Sequence, residues 1–279
     1  MKLKSYLKIL RPVNLFITFL SVIGAVIIAA KDLQAGFSPD VFLAALAAAM
    51  INGAGNVIND FFDVETDKAN KKMRPLVTGE ITRNGAINYY LILNGAALVI
   101  LLTISETLFY LGLATVILLF IYSRFLKTFP FIGNATVAFL TGFVFIFGGV
   151  LEGHWWRDIF PFLFAFQINL IREIVKDLED LPGDIANNII TFVYIFEERP
   201  TKIFIAVLTA IFVGLTLLPY FCDIYNIEYL LTVLFTVDIL LVLFLKYLFA
   251  KKPNYRAIHL ILKSAMLLGL AAILIGVLL

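Results

Sequence analysis

The chain reads INGAGNVINDFFDVETDKAN over residues 51–70 and INLIREIVKDLEDLPGDIAN over residues 168–187, an offset of 117 residues. Each stretch begins in apolar sequence and ends in acid. The shared skeleton is Ile51, Asn52, Asp60, Asp63, Asp67 and Asn70 in the first, and Ile168, Asn169, Asp177, Asp180, Asp184 and Asn187 in the second. At about 100° per residue, Asn52, Asn56, Asn59, Asp63 and Asp67 fall within roughly 80° of arc, so one helix face carries all five. Arg172, Lys176 and Asp180 form a comparable stripe in the second copy. Pro182-Gly183 predicts that this helix ends there, with Asp184 delivered by the turn that follows.

The surrounding sequence says what kind of helices these are. Of the 279 residues, 61% are hydrophobic and 15% charged, with a mean hydropathy of +0.96, the composition of an integral membrane protein. Nine apolar stretches reach or approach the roughly 20 residues that cross a bilayer as helix. They are 12–31, 40–62, 84–104, 106–124, 131–151, 157–178, 200–219, 227–248 and 257–279. None alternates strictly between polar and apolar positions, which argues against a lipid-facing barrel. The predicted fold is all-α, a single transmembrane domain over 1–279 with nine transmembrane helices around a central cavity. Four helices separate the two acidic stretches, so both enter from the same side, as parallel repeats relating helix 2 to helix 6.

Of the 22 Lys and Arg residues, 19 fall on one side of these spans. Lys31 and Arg157 fall on the other, and Lys263 lies within the last span. Basic residues are retained in the cytoplasm, so both acidic motifs are expected at the cytoplasmic face of a multi-pass cell membrane protein. The first span, after Lys2, Lys4, Lys8 and Arg11, is read as a retained helix in preference to a cleaved signal peptide. Cys222 is the single cysteine, which excludes an intramolecular disulfide. Membrane lipids are expected neighbours, and no nucleic-acid partner is expected.

Five of the 20 acidic residues lie between Asp60 and Glu80, and seven between Glu173 and Glu198. Facing carboxylates at a membrane surface suit a hard divalent cation, and Mg²⁺ shares its coordination between one or two carboxylates, water and phosphate oxygens. Two Mg²⁺ ions bridged by a diphosphate would offset the charge that grows on that group as it departs. The allylic cation left behind would sit in an interior supplied with 27 Phe and 11 Tyr, whose ring faces attract positive charge. The substrate read from these residues is a polyprenyl diphosphate.

The stretch from Asn59 and Asp60 through Asp63 to Asp67 matches the pattern NDxxDxxxD, and Asp180 with Asp184 matches DxxxD. Together with Arg74-Pro75-Leu76 and Thr78-Gly79, these motifs resemble the UbiA superfamily of intramembrane prenyltransferases over nearly the whole chain. Lys72 stands where that family commonly has Pro. The resemblance implies that Asn59, Asp63, Asp67, Asp180 and Asp184 hold Mg²⁺ and through it the diphosphate, with Asp63, Asp67, Asp180 and Asp184 essential to catalysis. Asp60 and Asp177 are flanking acids. Arg74, Lys127 and Lys176 are candidates for direct diphosphate contact, and Arg11 joins them from the first helix.

Tyr122-Ser123-Arg124-Phe125-Leu126-Lys127, Gly133-Asn134 and Arg172-Glu173-Ile174-Val175-Lys176-Asp177 look most like the ether-lipid branch of that family. The branch transfers a geranylgeranyl group to the free hydroxyl of geranylgeranylglyceryl phosphate, a lipid-like acceptor. An aromatic quinone precursor such as 4-hydroxybenzoate is the alternative acceptor. A cation-coupled secondary transporter is an alternative of a different class, but its site would lie near the bilayer midplane. A CDP-alcohol phosphotransferase would need an Asp-rich signature with a preceding Gly-Ala-Arg element, which this chain lacks.

Other polar residues have plainer readings. Glu65, Glu80, Glu179, Glu197, Glu198 and Arg199 read singly as solvated charges. Lys127 and Arg74 also fit the role of topology anchors. His154, Trp155 and Trp156 read as an interfacial aromatic belt, and His259 has no evident ligand partner. Asp238, deep in an apolar span, is expected to pair with Lys263 at similar depth.

Overall fold

The computed structural model describes residues 2–69, 73–186 and 190–279. Asn70 and Asn187, the last members of the two matched sequence skeletons, and Lys72 lie outside them. The described residues contain helices and no β-strand. Helix α1 spans Lys2–Leu10, α2 Pro12–Ala30, α3 Pro39–Phe62, α4 Val64–Ala69, α5 Arg83–Ile104 and α6 Glu106–Arg124. The second half continues with α7 at Ile132–Leu151, α8 at Ile159–Ala186, α9 at Phe192–Phe196 and α10 at Glu198–Phe221. Helices α11, Ile227–Leu248, and α12, Tyr255–Leu278, complete it.

Eight of these helices (α2, α3, α5, α6, α7, α10, α11 and α12) are long and apolar enough to cross a membrane. The remaining predicted span, 157–178, is occupied by the 28-residue α8. Its apolar part gives way to Arg172, Glu173 and Lys176 before the acidic motif begins.

Local chemistry sets the helix ends. Ser38 caps α3, its Oγ accepting from the Val41 N–H at 3.3 Å, and Pro39 supplies a first helical residue that needs no N–H partner. At the other end α3 stops at Phe62, Asp63 takes φ −90°, ψ 1°, and α4 resumes one residue later. The Asp67 N–H still reaches the Asp63 carbonyl at 2.7 Å, so the polar stripe predicted on one helix continues across a break.

Helix α8 does not end at Pro182-Gly183 as the sequence suggested, but runs to Ala186 with Pro182 inside it. Proline deprives one carbonyl, that of Leu178, of its helical partner. Pro182 and Gly183 are exposed within the last five residues of the helix, so little helix follows the lost bond. Asp180 and Asp184 are therefore one turn apart on a continuous helix, and Asp184 is not carried by a loop.

Packing divides the apolar interior into two principal clusters. One joins α2, α3, α5, α6 and α7 around Val22, Ile51, Leu101 and Phe147. The other joins α7, α8, α10, α11 and α12 around Ile171, Phe212, Tyr229, Leu241 and Leu262. Helix α7 contributes to both. Gly142 allows it to lie against α8, because a Cβ there would stand 2.7 Å from the Phe162 carbonyl oxygen. Close backbone approach through small residues is the usual basis of helix association in lipid. A third cluster, with Ile9, Leu10, Val57, Leu76 and Ile81, docks α1 and the 73–82 loop on the end of α3.

Two expectations about isolated polar residues are corrected. Asp238 does not pair with Lys263. It closes a π-helical turn, Val233–Asp238, and accepts from Thr216 Oγ1 of α10 at 3.3 Å, whereas Lys263 is exposed. Similar depth was not enough, since a π turn changes the direction in which a side chain leaves the helix. Glu179 is not simply a solvated charge, since its Oε2 lies 2.8 Å from His259 Nε2.

Candidate active site

The site assembles where α1 meets α2, where α3 meets α4, and where α6 turns into α7. Arg11 occupies the junction of α1 and α2 with φ 57° and ψ 71°. A non-glycine residue in this left-handed region is uncommon and costs free energy. The conformation lets the chain reverse before Pro12 while Arg11 Nη2 reaches Asp60 Oδ1 at 2.8 Å. Arg74 Nη1 lies 2.7 Å from the same Asp60 oxygen and 2.7 Å from Asp67 Oδ2. Asp60 and Asp67 are buried, at 3% and 2% exposure. Arg74 thus ties the end of α3 to α4.

Asp63 faces a different set. Asn59 Nδ2 donates to Asp63 Oδ2 at 2.9 Å, and Lys127, from the turn between α6 and α7, contacts Asp63 Oδ1. Gly133 permits that turn to lie against α7, since a Cβ there would stand 3.1 Å from Lys127 Cα. Further into α3, Asn56 Nδ2 donates to the Leu10 carbonyl at 3.0 Å and Asn52 Nδ2 to Thr18 Oγ1 at 2.5 Å. These two asparagines join helices; they are not in contact with the acids.

On α8, Asp177 Oδ2 accepts from Asn134 Nδ2 of α7 at 2.8 Å. Lys176 Nζ lies 2.8 Å from Glu173 Oε2, so the lysine expected at the diphosphate is engaged by its own helix. Asp180 is exposed and Asp184 half-buried. Tyr122 of α6 lies within electrostatic reach of Asp63, Glu173, Asp177 and Arg11. Among the described residues no three acidic side chains gather tightly enough to form a metal cage. The five expected ligands therefore divide into a first group, Asn59, Asp63 and Asp67, and a second, Asp180 and Asp184.

The first group suits a hard cation. Among the described residues Asn59 Oδ1 is buried without a hydrogen-bond partner, while its Nδ2 is committed to Asp63. An amide oxygen beside carboxylate oxygens is the donor set that Mg²⁺ prefers. Arg74 at Asp67 and Lys127 at Asp63 place positive charge directly on that donor set, and Arg11 places it on the neighbouring Asp60, as an anionic ligand there would require.

Sequence reasoning missed the supports of this arrangement. Ser5 Oγ donates to Glu80 Oε2 at 2.5 Å, and Lys8 Nζ donates to the Met73 carbonyl at 3.1 Å. Together they pin α1 to the loop that carries Arg74. Glu80 is not merely a solvated charge: hydrogen bonds from Ser5 and Thr78 hold its carboxyl below the usual glutamate range. Its motif neighbours Thr78-Gly79 were the one available signal.

Residues 16–267 match the UbiA prenyltransferase family, and the chain belongs to that family. It is similar to digeranylgeranylglyceryl phosphate synthase of Methanosphaera stadtmanae, 32% identical over 98% of this chain and 99% of the relative. The protein of the same description from Methanobrevibacter smithii is 34% identical, with 97% of each chain covered. A solved structure concerned with digeranylgeranylglyceryl phosphate synthase in membranes superposes with a TM-score of 0.81 at 31% identity, covering 99% of both chains. A UbiA homologue from Archaeoglobus fulgidus bound to GPP and Mg²⁺ shares the fold, with a TM-score of 0.67 at 20% identity.

Proposed function

We propose that this protein transfers a geranylgeranyl group from geranylgeranyl diphosphate to the free hydroxyl of geranylgeranylglyceryl phosphate, forming the second ether of an archaeal-type lipid precursor. The observation that carries this reading is the convergence of Arg74 and Lys127 on the carboxylates of the NDxxDxxxD motif. Full-length similarity to the two synthases supports the choice of acceptor over an aromatic quinone precursor.

In this reading the architecture is nine membrane spans, α8 among them, built as a parallel repeat with both acidic motifs at the cytoplasmic face. The bias of Lys and Arg supports the orientation. Asn59, Asp63 and Asp67 on one side and Asp180 and Asp184 on the other would hold Mg²⁺, as two ions bridged by the diphosphate. When bound, Mg²⁺ supplies Lewis-acid stabilisation of the departing diphosphate.

The chain's own residues do the rest. Asp60 anchors Arg11 and Arg74 at one oxygen and so fixes two guanidinium groups at the mouth of the site. Lys127 and Arg74 offset the charge that builds on the diphosphate as the allylic C–O bond breaks and its electron pair leaves with oxygen. The acceptor hydroxyl then donates a lone pair to the allylic carbon. Its proton passes to the released diphosphate or to water, and no strong base is needed because the oxygen becomes acidic as it bonds. An apolar surround limits competing capture by water.

The test is to incubate purified protein with labelled geranylgeranyl diphosphate, with and without Mg²⁺, and with geranylgeranylglyceryl phosphate or 4-hydroxybenzoate. A Mg²⁺-dependent ether product is expected. Prenylation of the aromatic acid in its place would overturn the acceptor, and metal-independent turnover would overturn the role of the acids.

A further inference from the structure

Arg172 departs from the pattern of Arg11, Arg74, Lys127 and Lys176. Arg11, Arg74 and Lys127 are spent on the acids of the first motif, and Lys176 on Glu173. Arg172 Nη1 comes no nearer than 3.5 Å to Glu173 Oε1, the outer limit of a hydrogen bond. Its Nε is buried and, among the described residues, has no hydrogen-bond partner. A buried cationic donor left unpaired is costly, and a bound anion is one arrangement that would satisfy it.

The position of Arg172 separates it from the diphosphate. It lies eight residues before Asp180 on a continuous helix, about 12 Å deeper at 1.5 Å per residue. Around the helix axis it is turned about 80° from Asp180, 120° from Asp184 and 140° from Asp177 at roughly 100° per residue. Lys176, one turn nearer the motif, is held by Glu173 in the same stripe. The result is a cation at the deep end of the stripe that leads to Asp180, turned well away from Asp177 and Asp184. A guanidinium matches a phosphate monoester through paired N–H groups.

We propose that Arg172 binds the phosphate of the acceptor and so distinguishes the phosphorylated glycerol ether from its neutral alcohol. This rests on the acceptor reading given above. The donor's diphosphate is served by Arg11, Arg74 and Lys127; the acceptor's phosphate sits on the same three-carbon unit as the reacting hydroxyl and needs its own counter-charge. Arg172 thereby positions that hydroxyl beside the allylic carbon.

The experiment compares wild type with Arg172→Gln and Arg172→Lys, using geranylgeranylglyceryl phosphate and dephosphorylated geranylgeranylglycerol as acceptors at saturating donor and Mg²⁺. Wild type is expected to prefer the phosphorylated acceptor in kcat/KM. That preference should shrink about 10- to 100-fold in Arg172→Gln, the worth of a charge-assisted hydrogen bond, and recover in part in Arg172→Lys. The KM for geranylgeranyl diphosphate should stay within about twofold of wild type. The phosphorylated acceptor alone should raise the thermal unfolding midpoint of wild type and not of Arg172→Gln, which also checks that the variant is folded. An equal loss on both acceptors, a rise in the donor KM, or no change would overturn the assignment. If wild type prenylates 4-hydroxybenzoate and neither glycerol ether, the function reading fails and this assignment falls with it.

Discussion

Lys127 contacts the Asp63 carboxylate across 64 residues of chain, joining the turn between α6 and α7 to the end of α3. The contact brings a base from one part of the chain to the first acidic motif, and it does so at the one acid of that motif which Arg74 does not touch. Asp63→Asn should therefore reduce Mg²⁺-dependent turnover by about 10³-fold, and Lys127→Ala by about 10²-fold, as expected for losing charge complementarity to a developing anion. Turnover assays on folded protein in detergent check both. Near-normal activity in either variant contradicts the assigned role.

Asp60 behaves differently because it is a structural anchor. It is buried and accepts from two guanidinium groups, so Asp60→Ala leaves both without their shared partner. Breaking a buried ion pair costs about 3–5 kcal/mol. Arg11 and Arg74 are 39% and 26% exposed, and solvent screening lowers the expected loss to about 2–3 kcal/mol. Thermal unfolding should register this as a lower midpoint, with donor KM rising as Arg74 loses its position. A drop in turnover with unchanged stability would instead place Asp60 among the metal ligands.

Glu80 makes the docking of α1 sensitive to acid. Its carboxyl is held below the ordinary glutamate value by Ser5 and Thr78, so the folded state favours the charged form. The contribution is fully present above the unfolded pKa and is lost as pH falls through the lower folded pKa. Cleavage of α1 beside Leu3, Tyr6 or Leu7 by pepsin, which is active in acid, should accelerate only in that acidic window, below the usual glutamate range. Ser5→Ala should remove the Ser5 contribution and shift the transition upward; an unchanged profile would count against the contact.

Gly142 tests the packing of α7 on α8. A Cβ at this position meets the Phe162 carbonyl oxygen at 2.7 Å and the Phe166 nitrogen at 3.2 Å, both backbone atoms that cannot swing aside. Gly142→Val should destabilise by about 1–3 kcal/mol, the usual cost of overpacking. Because Asn134 and Asp177 meet across the same helix pair, activity should fall as well. Unfolding midpoints and turnover measured together would show whether the two effects move in step.

Much of the fold was legible because lipid imposes a simple rule: a helix that crosses it must be apolar for about 20 residues. The boundaries predicted for α2, α3, α5 to α7 and α10 to α12 lie within three residues of those found. The extent of α8 was not legible, since Pro182 and Gly183 usually end helices and here do not. In the site, the acids stood out by their spacing, and Arg11, Arg74 and Lys127 by their company. Their pairings did not, nor did Asn134 with Asp177 or Ser5 with Glu80, since each depends on which helices become neighbours. Asp238 and Lys263 failed for the same reason.

By itself the sequence determined that the chain is a helical membrane protein with two acidic motifs, because composition, hydrophobic run length and residue spacing are properties of the linear chain. Tertiary structure decided which basic residue meets which acid: Arg74 bridging Asp60 and Asp67, Lys127 at Asp63, and Arg172 with a buried donor that no described residue pairs. Ion pairs and hydrogen bonds act over a few ångströms, whereas their partners here lie up to 64 residues apart. Only the packing of helices against one another brings such atoms within reach.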